Sequence, residues 1–194
     1  MANARSNTVS VSDTSINAVV TTPIPVGNTP ALVAVSPVGN RLYVANAGSN
    51  TVSVIDTANN GVVATIPVGN TPAGMAVNPD GTRVFVTNSN PDPVQNDYTV
   101  SVIDTASNGV VATIPVDASP IAAAMKPDGS RLYVTNGLDT VLVIDPVTNG
   151  VVATVPVDAI PVDLAVNPAG SYVYVAHNSA HQLLHDSRVN IHLS

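Results

Sequence analysis

Carboxylates are the most numerous ionisable side chains of this sequence, and several lie where an internal repeat is altered. One repeat carries an enlarged loop, the links between later repeats have aspartate in place of glycine, and one inner segment has aspartate in place of an apolar residue. Carboxylate oxygens suit Ca²⁺ or a cationic partner. The predicted binding face consists of Asp92, Asp97, Tyr98, Asp117, Asp158 and Asp163.

An alternative for the same aspartates is a set of solvated turns, because aspartate is common where a chain reverses direction. Their spacing does not match the dense pattern of a calcium-binding loop. Asp56, Asp104 and Asp145 recur in every repeat before an Asn-rich turn. We interpret these three as turn-capping residues rather than catalytic carboxylates.

Imidazoles are confined to the C-terminal end of the chain. His177, His181 and His185 are spaced four residues apart, which on a helix would place three imidazoles on one face. Such a face would suit a transition metal. The segment also breaks the repeat, so an irregular tail over 179–194 is the alternative. We expect no resident cofactor, with Ca²⁺ or a transition metal as the two metal alternatives.

The elements that must position these residues belong to a repeat. The segment 40–46 returns at 82–88, 130–136 and 171–177, and each repeat has four short Val- and Thr-rich strands joined by tight turns. Such short connections require antiparallel pairing. Proline in every fourth strand predicts an exposed rim, and four-stranded sheets packed face to face form a β-propeller. Prolines occur there at Pro25, Pro67, Pro115 and Pro156.

The motif Leu-Tyr-Val-Thr-Asn, followed by Thr-Val-Ser-Val-Ile-Asp-Thr and Val-Val-Ala-Thr-Ile-Pro-Val-Gly, resembles the YVTN-repeat β-propeller family over about residues 8–178. This resemblance implies a propeller fold, and the family includes surface-layer proteins and chains related to lactonases. It therefore implies an extracellular or cell-surface location. We detect no signal peptide in the first residues.

The repeat count predicts a single all-β domain over 1–178 with four blades. Three blades cover 29–69, 70–117 and 118–158, and 160–177 would join 8–28 to close the ring. Propellers of the family that this sequence resembles more often have about seven blades. A ring shared by two chains, or a fragment of a longer protein, is therefore the alternative. The segment 188–193 alternates polar and apolar residues and would compete with 8–12 for the open edge.

The composition limits the class of partner. The formal net charge is -7 at pH 7, which disfavours nucleic acid, and no apolar run is long enough for a membrane helix. We predict a non-catalytic module that recognises a protein or carbohydrate, present as a monomer or an edge-paired dimer. The alternative is a lactonase-like hydrolase with an acidic or metal-assisted site at the channel mouth.

Overall fold

The fold consists of antiparallel sheets. The computed structural model describes residues 1–90, 97–158, 160–178 and 191–192, the last pair as backbone only. Within these ranges every regular element is a β-strand, and no helix long and apolar enough to cross a membrane is found. Three sheets have four strands each, hydrogen-bonded in chain order. The predicted all-β class and the predicted four-stranded unit are confirmed.

The strands group into three complete blades between two partial ones. The N-terminal partial blade contains β1 (Ala2–Asn3), β2 (Thr8–Val9), β3 (Ser12–Asp13), β4 (Ala18–Val19) and β5 (Ile24–Pro25). The first blade contains β6 (Pro30–Val35), β7 (Arg41–Asn46), β8 (Thr51–Asp56) and β9 (Gly61–Pro67). The second blade contains β10 (Pro72–Val77), β11 (Arg83–Asn88), β12 (Thr99–Asp104) and β13 (Gly109–Pro115). The third blade contains β14 (Pro120–Met125), β15 (Leu132–Asn136), β16 (Thr140–Asp145) and β17 (Gly150–Pro156), and the C-terminal partial blade contains β18 (Pro161–Val166), β19 (Tyr172–His177) and β20 (Ile191–His192).

Tight turns join the first and second strands of each blade. In the second blade the Gly81 amide donates to the Asn78 carbonyl at 2.9 Å, and Gly81 has φ +72°. Proline near the start of such a turn fixes φ, whereas the left-handed conformation at its end favours glycine. The predicted turn chemistry is therefore confirmed. The same positive φ occurs at Gly39, Gly129 and Gly170.

The fourth strand of each complete blade is an edge strand. It pairs with the third strand on one side only. In the first blade Ile55 is opposite Val62 and Val54 is opposite Ala64, so Val63 is an extra, unpaired residue that forms a β-bulge. The second and third blades have the same irregularity. The predicted rim is confirmed.

Aromatic side chains on the second strands form the contacts between blades. Tyr43 is 1% exposed and shares a buried cluster with Val84 and Val86 of the next blade. Phe85 and Tyr133 repeat this arrangement one and two blades further along the chain. Neighbouring blades meet chiefly through their first strands, whereas rim strands β9 and β13 have few contacts. The first strands therefore line the axis, and neighbouring repeats cover each other as predicted.

The predicted closing blade is not present in the described residues. The edge of β19 pairs with β20, and the edge of β2 pairs with β1. The reason is local, because Ala2-Asn3 repeats the Ala45-Asn46 pair and takes the second-strand position. Residues 8–28 therefore do not begin with an unpaired strand, which the predicted pairing with 160–177 requires. The competing strand predicted within 188–193 is confirmed for Ile191–His192.

Candidate functional site

Loops between second and third strands lie at the same end of the blades as the links between blades. We call this end the linker face, and the opposite end, with the tight turns, the turn face. Asn50 joins a loop to a link: its Nδ2 donates to Asn70 Oδ1 at 3.0 Å, and its Oδ1 accepts from the Thr71 amide at 2.9 Å. The side-chain amide of Asn70 also donates from Nδ2 to Asp97 Oδ2 at 3.3 Å. The described end of the enlarged loop therefore lies on the same face as the links.

The enlarged loop supplies two described residues of the predicted binding face. Asp97 accepts hydrogen bonds from the side-chain amides of Asn70 and Asn90. Tyr98 is half-buried against the core between the second and third blades, and its carbonyl accepts from the Val116 amide at 3.0 Å. Asp92 lies outside the described residues. The described end of this loop is thus bound to the fold by Asp97 and Tyr98.

The other three predicted aspartates lie in different surroundings. Asp117 is exposed and lines a groove of about 310 Å³ between the outer strands of the second and third blades. Asp158 is exposed. Asp163 is exposed too, but it lines a cavity at the axis. Asp117 and Asp163 therefore belong to separate depressions of the surface.

The predicted histidine cluster can be followed at one residue. His177 is the last residue of strand β19, and both of its ring nitrogens are buried with no hydrogen-bond partner among the described residues. His181 and His185 lie outside the described residues. In the part of the chain that the structure describes, no three His or Asp side chains are placed to hold a metal ion.

The axial cavity combines a largely apolar lining with a carboxylate. Its volume is about 440 Å³, and the first strands of four successive blades line it at their linker-face ends. Among the described residues that line it, Asp163 is the one ionisable side chain, and one of its carboxylate oxygens accepts from the Leu164 amide at 2.8 Å. The other lining residues are Leu32, Val33, Ala73, Gly74, Met75, Ile121, Ala122, Ala123 and Val162.

Buried threonines shape the wall of this cavity. Thr87 Oγ1 accepts from the Gly74 amide at 2.7 Å and lies 3.1 Å from the Ile121 carbonyl, to which it donates. Thr135 accepts from the Ala122 amide in the same way at 3.0 Å. These threonines were not predicted from the sequence. The signal was present, because the same position is alanine in the first blade and in the C-terminal partial blade.

Aspartates of the turn face cap turns, as predicted. Asp56 accepts from the Ala58 amide at 2.9 Å, which is the first cause of its lowered pKa. Hydrogen bonds from Ser130 and contact with Lys126 lower the pKa of Asp128 to about 2. Hydrogen bonds to a carboxylate stabilise its charged form. Lowered pKa values from such bonds occur at Asp13, Asp56, Asp80, Asp104, Asp128 and Asp145.

The turn face also has a polar depression that the sequence did not reveal. It has a volume of about 400 Å³ and lies between the second and third blades. Asp80, Arg83 and Asp128 contribute to its wall. Arg83 donates to the Pro146 carbonyl at 2.9 Å, and Asp80 binds its own turn through Thr82, so these polar groups already have partners within the fold.

Comparison with known proteins identifies the family. The model described as lactonase, 7-bladed beta-propeller matches residues 3–116, which is more than half of the chain. The chain belongs to this family. The resemblance to propeller repeats with lactonase relatives is thus confirmed, and the family is described by seven blades rather than the four that we predicted.

The fold of this lactonase-family chain also occurs in a larger solved structure. Hydrazine synthase from Kuenenia stuttgartiensis is 25% identical, with a TM-score of 0.73, and the similarity covers 79% of this chain and 43% of that one. The chain therefore spans less than half the length of the protein it matches. No curated protein matched the sequence.

Proposed function

We propose that this lactonase-family propeller is a non-catalytic recognition module that binds its ligand in the axial cavity. The observation that carries the proposal is the lining: apolar side chains from four first strands surround one carboxylate, Asp163. A volume of about 440 Å³ is comparable with small-molecule sites, which are concave and mostly apolar with few polar groups. Placement at the ends of rigid strands holds these groups in fixed positions.

The placement of the aspartates supports binding over hydrolysis. A general base works best when its pKa lies near the operating pH. All of the described aspartates with a shifted pKa are shifted downward, and all are held in turns on the turn face. No histidine is among the described residues that line the axial cavity.

Filling the cavity tests the recognition role. Ala122→Leu would add bulk to the cavity wall, and Ala169→Leu, at an exposed turn on the opposite face, is the matched control. Ligand-observed NMR with a library of small amines, acids and saccharides is the measurement, with circular dichroism to verify folding. We expect hits that bind the parent chain and the control but not Ala122→Leu. Hits that bind all three proteins equally would overturn the proposal.

The second candidate is a lactonase-like hydrolase, which the family match favours. Asp163 would then activate the attacking water, with or without a bound Ca²⁺. Ring opening of γ- and δ-lactones in a pH-stat, with Ca²⁺ and with a chelator, measures this activity. We expect the same rate with the parent chain, with Asp163→Asn and in buffer. A catalysed rate that Asp163→Asn abolishes would establish the hydrolase instead.

A further inference from the structure

Charge is unevenly divided between the two faces of the propeller. The described cations of the turn face are engaged there, three in ion pairs with aspartates and one with a carbonyl. None of the ion pairs among the described residues includes an aspartate of the linker face. The turn-face cations are Arg41, Arg83, Lys126 and Arg131, and the described linker-face aspartates are Asp97, Asp117, Asp139, Asp158 and Asp163.

The mouth of the axial cavity therefore lies in a region of negative charge. Among the described residues, Arg5 is the one positively charged side chain in a linker-face loop, and it belongs to the N-terminal partial blade. An excess of one sign of charge around a concave site raises the local concentration of ligands of the opposite sign. A cationic group is thus favoured at this mouth before any contact is made.

Asp163 gives this charge a defined position. Its Oδ1 accepts from the Leu164 amide at 2.8 Å, which orients the carboxylate while leaving further acceptor capacity. Val162 and Leu32 beside the cavity are about 38% and 37% exposed, so apolar surface is available next to the carboxylate. Apolar walls reduce the local dielectric and strengthen an ion pair formed there.

We propose that the axial cavity binds a primary alkylammonium group, with the ammonium on Asp163 and the alkyl chain on the apolar lining. The inference rests on the proposed recognition role of this cavity and adds the charge and shape of the ligand. An ammonium has donors alone, and it matches a carboxylate with free acceptor capacity. The group belongs to a free amine or to a lysine side chain.

Calorimetric titration of the full chain at about 0.15 M salt, where the field of distant charges is screened, tests the inference. The probes are hexylammonium, hexanol and hexanoate, which share a chain and differ in charge, and Nα-acetyl-lysine amide. We expect hexylammonium to bind about tenfold more tightly than hexanol and more tightly still than hexanoate. Comparable binding of the lysine amide would assign the group to a partner protein, whereas weak binding would assign it to a free amine.

Two variants separate the cavity carboxylate from the general field. Asp163→Asn should weaken hexylammonium binding about tenfold and remove the preference over hexanol. Asp117→Asn has the same charge change on the same face but lies outside the cavity, and it should change affinity by less than about twofold because solvent and ions screen it.

The outcomes distinguish this inference from the recognition role. Equal binding of hexanol and hexylammonium, or an unchanged preference in Asp163→Asn, would overturn the ammonium assignment and leave the recognition role standing. An equal loss in Asp117→Asn would also overturn it, because the field rather than the cavity carboxylate would then carry binding. If none of the four probes binds, the ammonium assignment fails, and the recognition role is decided by the NMR screen with Ala122→Leu.

Discussion

The second and third blades hold the same linker-face asparagine in opposite ways. In the second blade the Asn88 side-chain amide donates to Thr99 Oγ1 and to Ser101 Oγ, each at 2.9 Å. Gly69, in the preceding link, lies so close that a Cβ built on it would be 2.7 Å from Asn88 Cγ. The asparagine and the glycine therefore depend on each other.

In the third blade the equivalent asparagine is an acceptor. Asn136 Oδ1 accepts from the Leu138 amide at 3.0 Å and from Thr140 Oγ1 at 2.7 Å. Leu142 occupies the position of Ser101 and offers no acceptor, and Asp117 occupies the position of Gly69. Between these two blades, residues that contact one another therefore differ together. The repeat varies in groups of contacting residues rather than at single positions.

The largest expected effect on stability concerns the first strands of the same two blades. Gly74→Ala would place a Cβ 2.6 Å from the Ile121 carbonyl oxygen and 2.9 Å from Ala122 Cα, both of which are backbone atoms of the third blade. Backbone cannot rotate away, so we expect a loss of about 3 kcal/mol in unfolding free energy, measured by urea denaturation. Ala122→Gly, at the equivalent position, is the control and should cost about 1 kcal/mol. Similar losses in both variants would contradict the comparison.

The next effect tests the coupling between link and asparagine. Gly69→Ala should destabilise the chain by about 2 kcal/mol because Asn88 is fully buried, whereas Asp117→Ala should change stability by less than about 0.5 kcal/mol. Transplanting the arrangement of the third blade, as Gly69→Asp with Ser101→Leu, should cost at least about 1 kcal/mol less than the sum of the two single changes. Additive costs would show that the two positions are independent.

A smaller effect distinguishes the links before these blades. Thr71 has φ +50°, and its equivalent Ser119 is not among the residues with positive φ. A β-branched residue is strained in this conformation, so Thr71→Gly should stabilise the chain by about 0.5 kcal/mol despite the added freedom of the unfolded chain. Ser119→Gly should destabilise it by a similar amount. Thermal melts of the two variants, with shifts of opposite sign, provide the check.

The smallest effect is the pH dependence of one turn. Asp128 has Lys126 beside it, whereas Asp80 in the second blade has Asn78 at that position. The pKa of Asp128 is lowered from 3.8 to about 2, so its stabilising contribution is complete above the unfolded value and is lost as the pH falls from about 4 to about 2. Lys126→Asn should raise the pKa of Asp128 and leave that of Asp80 unchanged, as followed by carboxyl ¹³C NMR. A shift at both aspartates would mean that Lys126 acts through the general field.

Most of the blade architecture was predictable because it depends on local patterns. Proline and glycine fix the turns, alternating valines and threonines form strands, and a repeated tyrosine needs a neighbour to cover it. The closing blade was not predictable from the same patterns, because which strand takes an open edge depends on competing segments. Ala2-Asn3 was overlooked, although it is identical to Ala45-Asn46.

The candidate site was predictable only in part. Asp163 and the enlarged loop were identified from the sequence because both stand out as departures from the other copies of the repeat. The sequence did not separate Asp117 from Asp163, since convergence of side chains depends on the tilt and spacing of whole blades. The wall formed by Thr87 and Gly74 was missed because a threonine in a strand is ordinarily interpreted as a strand former.

The bulge in each rim strand has a consequence for how such chains behave in a crowded solution. An unpaired straight edge, with exposed valines such as Val62 and Val63, would offer a template for strands of other molecules. The extra residue interrupts the regular spacing of donors and acceptors, and the proline at the strand end removes another donor. Duplication of the unit therefore adds blades without adding a straight, unpaired strand edge. Additional repeats then do not increase the risk of fibre formation.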